Sequence, residues 1–245
     1  MIDYTNFYFD SIDSTNEEAK RNIANYPHGS VLYTNTQTSG KGRLGRQWSS
    51  PPDKNIYMSL VIKNDDLSAN CVNSYVQLAS LAIYNSLNQK SLDELRIKWP
   101  NDLLVDQAKI AGILCEGIFE QSKMTSLIIG MGINVNMTFS ELKNLGRPAT
   151  SLLLETAIPW NRESLKNEIL DQFKKLYTEY YDQASAISEL WMNAAQLKNK
   201  TVLFTNDRKE SYLGTVHGFS NEGAIMIQSN NNILTFFTGE LTIKK

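Results

Sequence analysis

The amino-acid sequence predicts an α+β protein, in which helices pack against a mixed β-sheet and a small all-β domain follows. Two patterns indicate this class. Up to residue 197, runs with strand-like alternation are interspersed with segments that have helical spacing. After Lys198, short strand-like runs are separated by polar or glycine-containing turns. We therefore expect one domain over residues 1–197 and a second over residues 198–245.

The larger domain begins with a strand and a helix. Residues 2–9 alternate in the manner of a strand, and Ser14 with Glu17 matches a capping box that opens a helix ending near Asn25. Apolar residues at helical spacing over 68–88 predict a long core helix. Further strands are predicted at 31–36, 55–62, 95–98, 103–105, 110–119 and 126–135.

Two helices and four strands complete the predicted chain. Asn161 is suited to cap a helix over 162–181, and a second helix follows over 184–197. The short strands of the second domain are predicted at 201–204, 212–219, 224–228 and 233–237. Their number and the polar turns between them are typical of a small β-barrel.

Composition excludes several classes of protein. The 24 basic and 26 acidic side chains give a net charge of −2, so we expect no general attraction to DNA or to anionic membranes. The sequence has neither a signal-peptide pattern nor an apolar run of about 18 residues. Cys71 and Cys115 lack metal or redox spacing, which predicts reduced thiols in the cytoplasm. With His28 and His217 as the two histidines, a His-based zinc site or catalytic triad is disfavoured.

A glycine-rich loop at 40–48 is the first feature with chemical content. Its three glycines and three cations suit a polyphosphate, and it formally matches G-x-G-x-x-G. A Rossmann loop must open a helix, which Pro51 and Pro52 prevent here. Asn35 and Gly42 break the Walker A spacing. An exposed basic turn is the alternative reading.

Two further loops combine polar groups with glycine. Residues 98–102 (Lys-Trp-Pro-Asn-Asp) place a cation, an amide and a carboxylate in one turn, which suits a nucleotide and Mg²⁺; an ion-paired turn is the alternative. Lys109 begins an apolar strand in which Gly112 leaves room for a ligand, although a solvated edge lysine has the same pattern. Residues 130–136 carry two glycines and two asparagines, and could equally be a simple strand end.

Taken together and in this order, these features resemble the biotin protein ligases. The resemblance is carried by Asp13-Ser14-Thr15-Asn16 and by residues 40–48, 98–102, 109–116 and 130–136, with 214–219 and 239–240 similar to the family's C-terminal domain. It implies a class II synthetase-like catalytic domain and a C-terminal SH3-like β-barrel domain. Because the motifs begin near Met1, it also implies the monofunctional type, which lacks an N-terminal DNA-binding domain.

The resemblance implies a two-step reaction. Biotin and ATP, with Mg²⁺, give biotinyl-5′-AMP, and biotin is then transferred to a lysine of a biotin carboxyl carrier protein. A homodimer is possible in this family. The alternative is a lipoate- or octanoate-protein ligase or transferase of the same fold, but the ligands of those enzymes lack the ureido ring of biotin.

The resemblance also assigns residues. It implies catalytic roles for Lys109 and Arg43, and a Mg²⁺ contact for Asp102. The implied biotin contacts are Ser14, Thr15, Gln37, Gly40, Lys41, Arg43, Trp48, Lys109, Gly112, Leu114 and Gly130. The implied ATP or adenylate contacts are Lys41, Arg43, Arg46, Trp48, Lys98, Asn101, Asp102, Lys109 and Asn134. Lys41 stands where the family usually has arginine, which keeps the charge but loses the bidentate fork.

Overall fold

The larger part of the protein is built on a mixed β-sheet. The computed structural model describes residues 2–64, 67–90, 92–180 and 183–244. Seven strands of this described chain form one sheet: β1 (Thr5–Ile12), β2 (Ser30–Gln37), β3 (Ile56–Ile62), β4 (Leu95–Lys98), β5 (Asp102–Val105), β6 (Ala108–Glu120) and β7 (Lys123–Ile133). Their order is β1-β2-β3-β7-β6-β5-β4. The pair β1–β2 is parallel, whereas the other pairs are antiparallel, so the predicted mixed sheet is confirmed.

Helices cover the sheet and join the strands. They are α1 (Thr15–Arg21), α2 (Val72–Asn88), α3 (Phe139–Lys143), α4 (Leu152–Thr156), α5 (Arg162–Tyr180) and α6 (Ala184–Ala194). The apolar face of α2 packs on the sheet and also meets α5 and α6. The indole Nε1 of Trp191 in α6 donates a hydrogen bond of 2.7 Å to Ser80 Oγ in α2, which fixes the two helices in register.

Helix ends agree with the sequence in part. Asn161 caps α5 as predicted, because its Oδ1 accepts the Ser164 amide at 2.9 Å. Helix α1 begins after Ser14, but the Ser14 hydroxyl makes no capping hydrogen bond and the α-helix ends at Arg21, before a single 3-10 turn at Ile23–Asn25. The five-residue helices α3 and α4 are too short to show a helical period, and the sequence did not predict them.

The C-terminal part forms an antiparallel sheet of its own. Its strands are β8 (Thr201–Thr205), β9 (Ser211–Phe219), β10 (Ile225–Ser229), β11 (Asn232–Phe236) and β12 (Glu240–Ile243), in the order β11-β10-β9-β8-β12. The expected small C-terminal β domain is present, but its sheet does not close into a barrel, because β11 and β12 are its two edges. Strand β12 was not predicted from the sequence, although its four residues, Glu-Leu-Thr-Ile, alternate between polar and apolar; the run is at the lower length limit of a strand pattern.

Aromatic contacts hold the small sheet against the larger part. The rings of Trp99 and Phe204 have centroids 5.6 Å apart, and those of Trp191 and Phe219 are 5.3 Å apart. Both pairs belong to one continuous buried core. No helix in the described part of the chain has the length and apolar character needed to cross a bilayer. The predicted domain boundary between residues 197 and 198 stays a prediction.

Candidate active site

A cavity of about 720 Å³ opens between the larger sheet, the glycine-rich loop and the small sheet. Its size is typical of pockets that hold small-molecule ligands. It brings together most of the side chains that the sequence singled out: Ser14, Thr15, Gln37, Lys41, Arg43, Arg46, Trp48, Lys98, Asn101, Asp102, Lys109, Gly112, Leu114 and Gly130.

The floor of the cavity is a furrow made by glycines on β6 and β7. The register of these strands places Gly112 directly opposite Gly132. A Cβ atom on Gly132 would lie 2.5–2.8 Å from three atoms of the Trp48 indole, and one on Gly112 would lie 3.2 Å from the same ring. Because both positions lack a side chain, Trp48 can lie flat in the furrow and close one side of the cavity.

Lys109 points into this furrow. Its Nζ lies 2.5 Å from Asp102 Oδ1 and 5.1 Å from the centroid of the Trp48 ring. The pairing of β5 with β6 shifts between Leu103 and Leu104, so a bulge at this point re-aims Lys109 towards the face of Gly112, three residues on. Burial lowers the pKa of the Lys109 ammonium below that of an ordinary lysine, and Asp102 partly offsets the shift.

The two arginines of the glycine-rich loop contact different parts of the protein, one in the larger sheet region and one in the small sheet. Arg43 Nη1 donates to Asn101 Oδ1 at 3.1 Å, and Asn101 Nδ2 in turn donates to the Ile113 carbonyl at 2.7 Å. Burial lowers the pKa of Arg43, although a guanidinium stays charged at neutral pH. Arg46 Nη2 lies 3.4 Å from Oε1 of Glu240 on β12, and this exposed ion pair contributes little to stability. The loop therefore bridges the two sheets.

The opposite end of the cavity presents hydroxyl and amide groups. The Thr15 backbone amide donates to Gln37 Oε1 at 2.9 Å, and Ser59 Oγ lies within hydrogen-bond distance of Thr15 Oγ1, at 2.7 Å. Ser14 and Thr15 are buried, and the Ser14 hydroxyl is not used as a helix cap. This end can therefore both donate to and accept from a polar ring system.

Two of the predicted ligand contacts lie outside the cavity lining. The Asn134 side-chain amide donates to the Lys109 carbonyl at 3.3 Å and to the Thr150 carbonyl at 3.0 Å, so it braces the strand behind Lys109, and its predicted adenine contact stays a prediction. A Cβ on Gly40 would lie 2.5 Å from the Trp48 carbonyl oxygen, so Gly40 serves the close packing of the loop on itself.

Lys41 lines the cavity but is paired away from its centre. Its Nζ lies 2.9 Å from Glu17 Oε1, and Glu17 also accepts from Lys20 at 2.7 Å. These bonds tie the loop to α1, and together they lower the pKa of Glu17. The predicted phosphate or biotin contact of Lys41 stays a prediction, and it would require this pair to open.

Three contributors to the site were not predicted from the sequence, which are Ser59, Ser50 and Arg147. Ser59 Oγ donates to Asn16 Oδ1 at 2.5 Å, and Gln37 Nε2 donates to Ser50 Oγ at 2.9 Å. Ser59 interrupts the otherwise apolar run of β3, which was an available signal. Arg147, whose guanidinium carbon lies 6.0 Å from the centroid of the Trp48 ring, had no signal in the sequence, because it lies in an irregular loop without a motif.

Asp102 is the carboxylate for which the family resemblance implies a Mg²⁺ contact. Among the described residues, no group of three or more His, Cys, Asp or Glu side chains converges as a metal cage would require. A single carboxylate nevertheless fits a Mg²⁺ ion that takes most of its ligands from phosphate oxygens and water.

Comparison with known proteins identifies the family. The model of the biotin/lipoate A/B protein ligase family matches residues 8–134, which is more than half of the chain and contains most of the cavity. The chain belongs to this family. One relative is the bifunctional ligase/repressor BirA of Bacillus spizizenii, which is 30% identical over 242 residues, covering 96% of this chain and 73% of that protein.

Further similarities support the family. The biotin–[acetyl-CoA-carboxylase] ligase of Paracoccus denitrificans is 25% identical over 221 residues, covering 88% of this chain and 91% of that protein. The biotin protein ligase from Aquifex aeolicus, solved in complex with biotin and ATP, superposes with a TM-score of 0.77 at 24% identity and covers 98% of this chain and 99% of that one. At this identity, the superposition shows a shared fold.

The furrow makes a testable prediction about Trp48. Gly132→Ala should expel the indole, because the new methyl group would overlap the ring, and it should increase the fraction of tryptophan emission quenched by iodide. Adding Trp48→Phe should remove the increase. Gly218→Ala is the matched control, since its Cβ would meet its nearest neighbour at 3.5 Å, an ordinary contact. Equal quenching in both folded glycine variants would contradict the proposed packing.

Proposed function

We propose that this protein is an ATP-dependent biotin protein ligase. It joins biotin to ATP to give biotinyl-5′-AMP and pyrophosphate, and it then transfers biotin to a lysine of a biotin carboxyl carrier domain. One observation carries the proposal: a single cavity runs from the hydroxyl and amide groups at the start of α1 to the cations around Lys109. Relatives named as ligases of acetyl-CoA carboxylase support a carboxylase as the source of the acceptor.

The first end of the cavity suits the biotin ring system. A ureido group offers one acceptor and two donors, which the Ser14 and Thr15 hydroxyls and the Gln37 amide complement. Leu114 and Gly130, paired across β6 and β7, supply an apolar and closely fitting wall for the rest of the bicyclic ring.

The second end suits the joining of two anions. A biotin carboxylate oxygen bonds to the α-phosphorus, and the bond from that phosphorus to the pyrophosphate oxygen breaks. Lys109 and Arg43 lie where the negative charge accumulates, and the half-buried setting strengthens their effect. We expect Lys98 and Arg46 to meet the outer phosphates. When bound, Mg²⁺ neutralises phosphate charge, and Asp102 would hold it there together with phosphate oxygens.

Transfer uses the same cavity. The acceptor amine attacks the carbonyl of the mixed anhydride, AMP leaves with the electron pair of the broken bond, and the amine gives up its proton. Trp48, lying over the glycine furrow, keeps water from the anhydride while the acceptor approaches. We assign this chemistry to residues 1–197, while residues 198–245 close one side of the cavity through Asp207, Lys209 and Glu240. The two free cysteines favour a reducing, cytoplasmic compartment.

The choice of biotin makes the first prediction of function. Labelled pyrophosphate should exchange into ATP when biotin and Mg²⁺ are both present, because adenylate formation is reversible. Lipoate and octanoate should support little exchange, since neither carries a ureido ring to satisfy the buried polar groups near Thr15. Exchange supported by lipoate or octanoate but not by biotin would overturn the assignment in favour of the related lipoate or octanoate enzymes.

The role of Lys109 makes the second prediction. Lys109→Met, which keeps the length of the side chain and removes the charge, should lower adenylate formation by roughly 10²- to 10³-fold, the usual loss for one charge-stabilising donor. Lys90→Met is a close control. Lys90 has the same side-chain exposure of 16%, is paired with Glu168 and lies 5.3 Å from the Trp160 ring, but it is outside the cavity. Equal losses in the two variants would show that Lys109 is merely structural.

A further inference from the structure

Arg147 is a cation of the cavity that no motif includes. It lies on the loop between α3 and α4, and its guanidinium carbon is 6.0 Å from the centroid of the Trp48 ring. It is half-buried, and it lines both the main cavity and a small crevice behind Trp48. Its position next to the indole places it over the same furrow that Lys109 enters.

The loop that carries Arg147 is fastened to the strand of Lys109. The Lys109 amide donates to the Pro148 carbonyl at 3.1 Å, and the Thr150 amide donates to the Lys109 carbonyl at 2.9 Å. Ser151 then caps α4 by accepting the Leu154 amide at 3.3 Å. Arg147 is therefore held one residue from a backbone bond to Lys109, and the two cations are fixed relative to one another.

Charge near Arg147 is not balanced by a direct partner. None of the ion pairs in the described ranges 2–64, 67–90, 92–180 and 183–244 involves Arg147. The Asp102 carboxylate in the same cavity is ion-paired with Lys109. Burial is the main reason that the Lys109 pKa is lowered, and the charges of Arg147 and Arg46 add to the effect. Such a group of half-buried like charges is favourable when a polyanion joins it.

We propose that Arg147 is a nucleotide-binding residue whose guanidinium, lying beside the Trp48 ring, contacts the phosphates of ATP. A planar guanidinium can keep an aromatic contact on its face while its edge donates to phosphate oxygens. Arg147 thus raises the affinity for ATP and has no part in holding biotin, whose ring lies at the other end of the cavity. The assignment of the ATP end rests on the proposed function.

The test measures ligand binding directly. Calorimetry with MgATP should give a dissociation constant at least tenfold higher for Arg147→Gln than for the wild type, as expected for the loss of a charge-assisted hydrogen bond. The dissociation constant of Arg147→Lys should lie between those of the wild type and Arg147→Gln, because lysine keeps the charge and lacks the planar guanidinium. For adenosine and for biotin, the dissociation constants of the wild type and of Arg147→Gln should differ by no more than about twofold. Arg96→Gln, which removes a half-buried arginine that donates to the Asp106 carbonyl outside the cavity, is the control and should leave MgATP binding unchanged.

Three outcomes would overturn the inference. Unchanged MgATP binding would show that Arg147 only packs on Trp48, and equal losses for ATP and adenosine would place its contact on the base. Weaker biotin binding together with a lower melting temperature would indicate a structural role. A wild-type protein that binds MgATP but not biotin would refute the proposed ligase function, while the comparison of Arg147 variants with MgATP would still stand.

Discussion

The site depends on one register, that of β6 against β7. This pairing sets Gly112 opposite Gly132 and Leu114 opposite Gly130, so one face of the sheet has a glycine-rich strip in which Leu114 alone of these four residues carries a side chain. A slip of one residue would reverse the faces and fill the strip. The long, buried ladder between these strands resists such a slip, because their apolar residues face the α2 side of the core. The floor of the cavity is thus fixed by the same packing that stabilises the fold.

Chemical groups reach this floor from three directions. Lys109 arrives through the bulge at the start of β6, Trp48 and Arg43 arrive on the glycine-rich loop, and the polar groups of Thr15 arrive at the start of α1. Thr15, Arg43 and Lys109 are fixed by hydrogen bonds or ion pairs to a neighbouring element, and Trp48 is held by its packing in the furrow. Groups held this way lose little further freedom when a ligand binds, which favours both affinity and catalysis.

The sequence could predict those features that are local. Strand alternation located the seven strands of the larger sheet to within a few residues, and glycine with lysine in short loops identified most of the cavity lining. Features that depend on distant residues were out of reach. The pairing of Lys41 with Glu17 requires the loop to meet α1, and the contact of Arg147 with the Trp48 ring joins segments about a hundred residues apart. The small β domain after residue 198 was predicted, but whether the edges of its sheet close into a barrel depends on strand pairing, which is a non-local property.

The central claim is that one cavity over the glycine furrow binds the adenylate. Hydrogen exchange with and without biotinyl-5′-AMP tests it most directly, since amides of a loop that closes on a ligand become protected. The account predicts slower exchange over residues 38–50 and 144–150, with no change in α5 or in β9 to β11. Unchanged exchange in both loops, or protection confined to the small sheet, would contradict it.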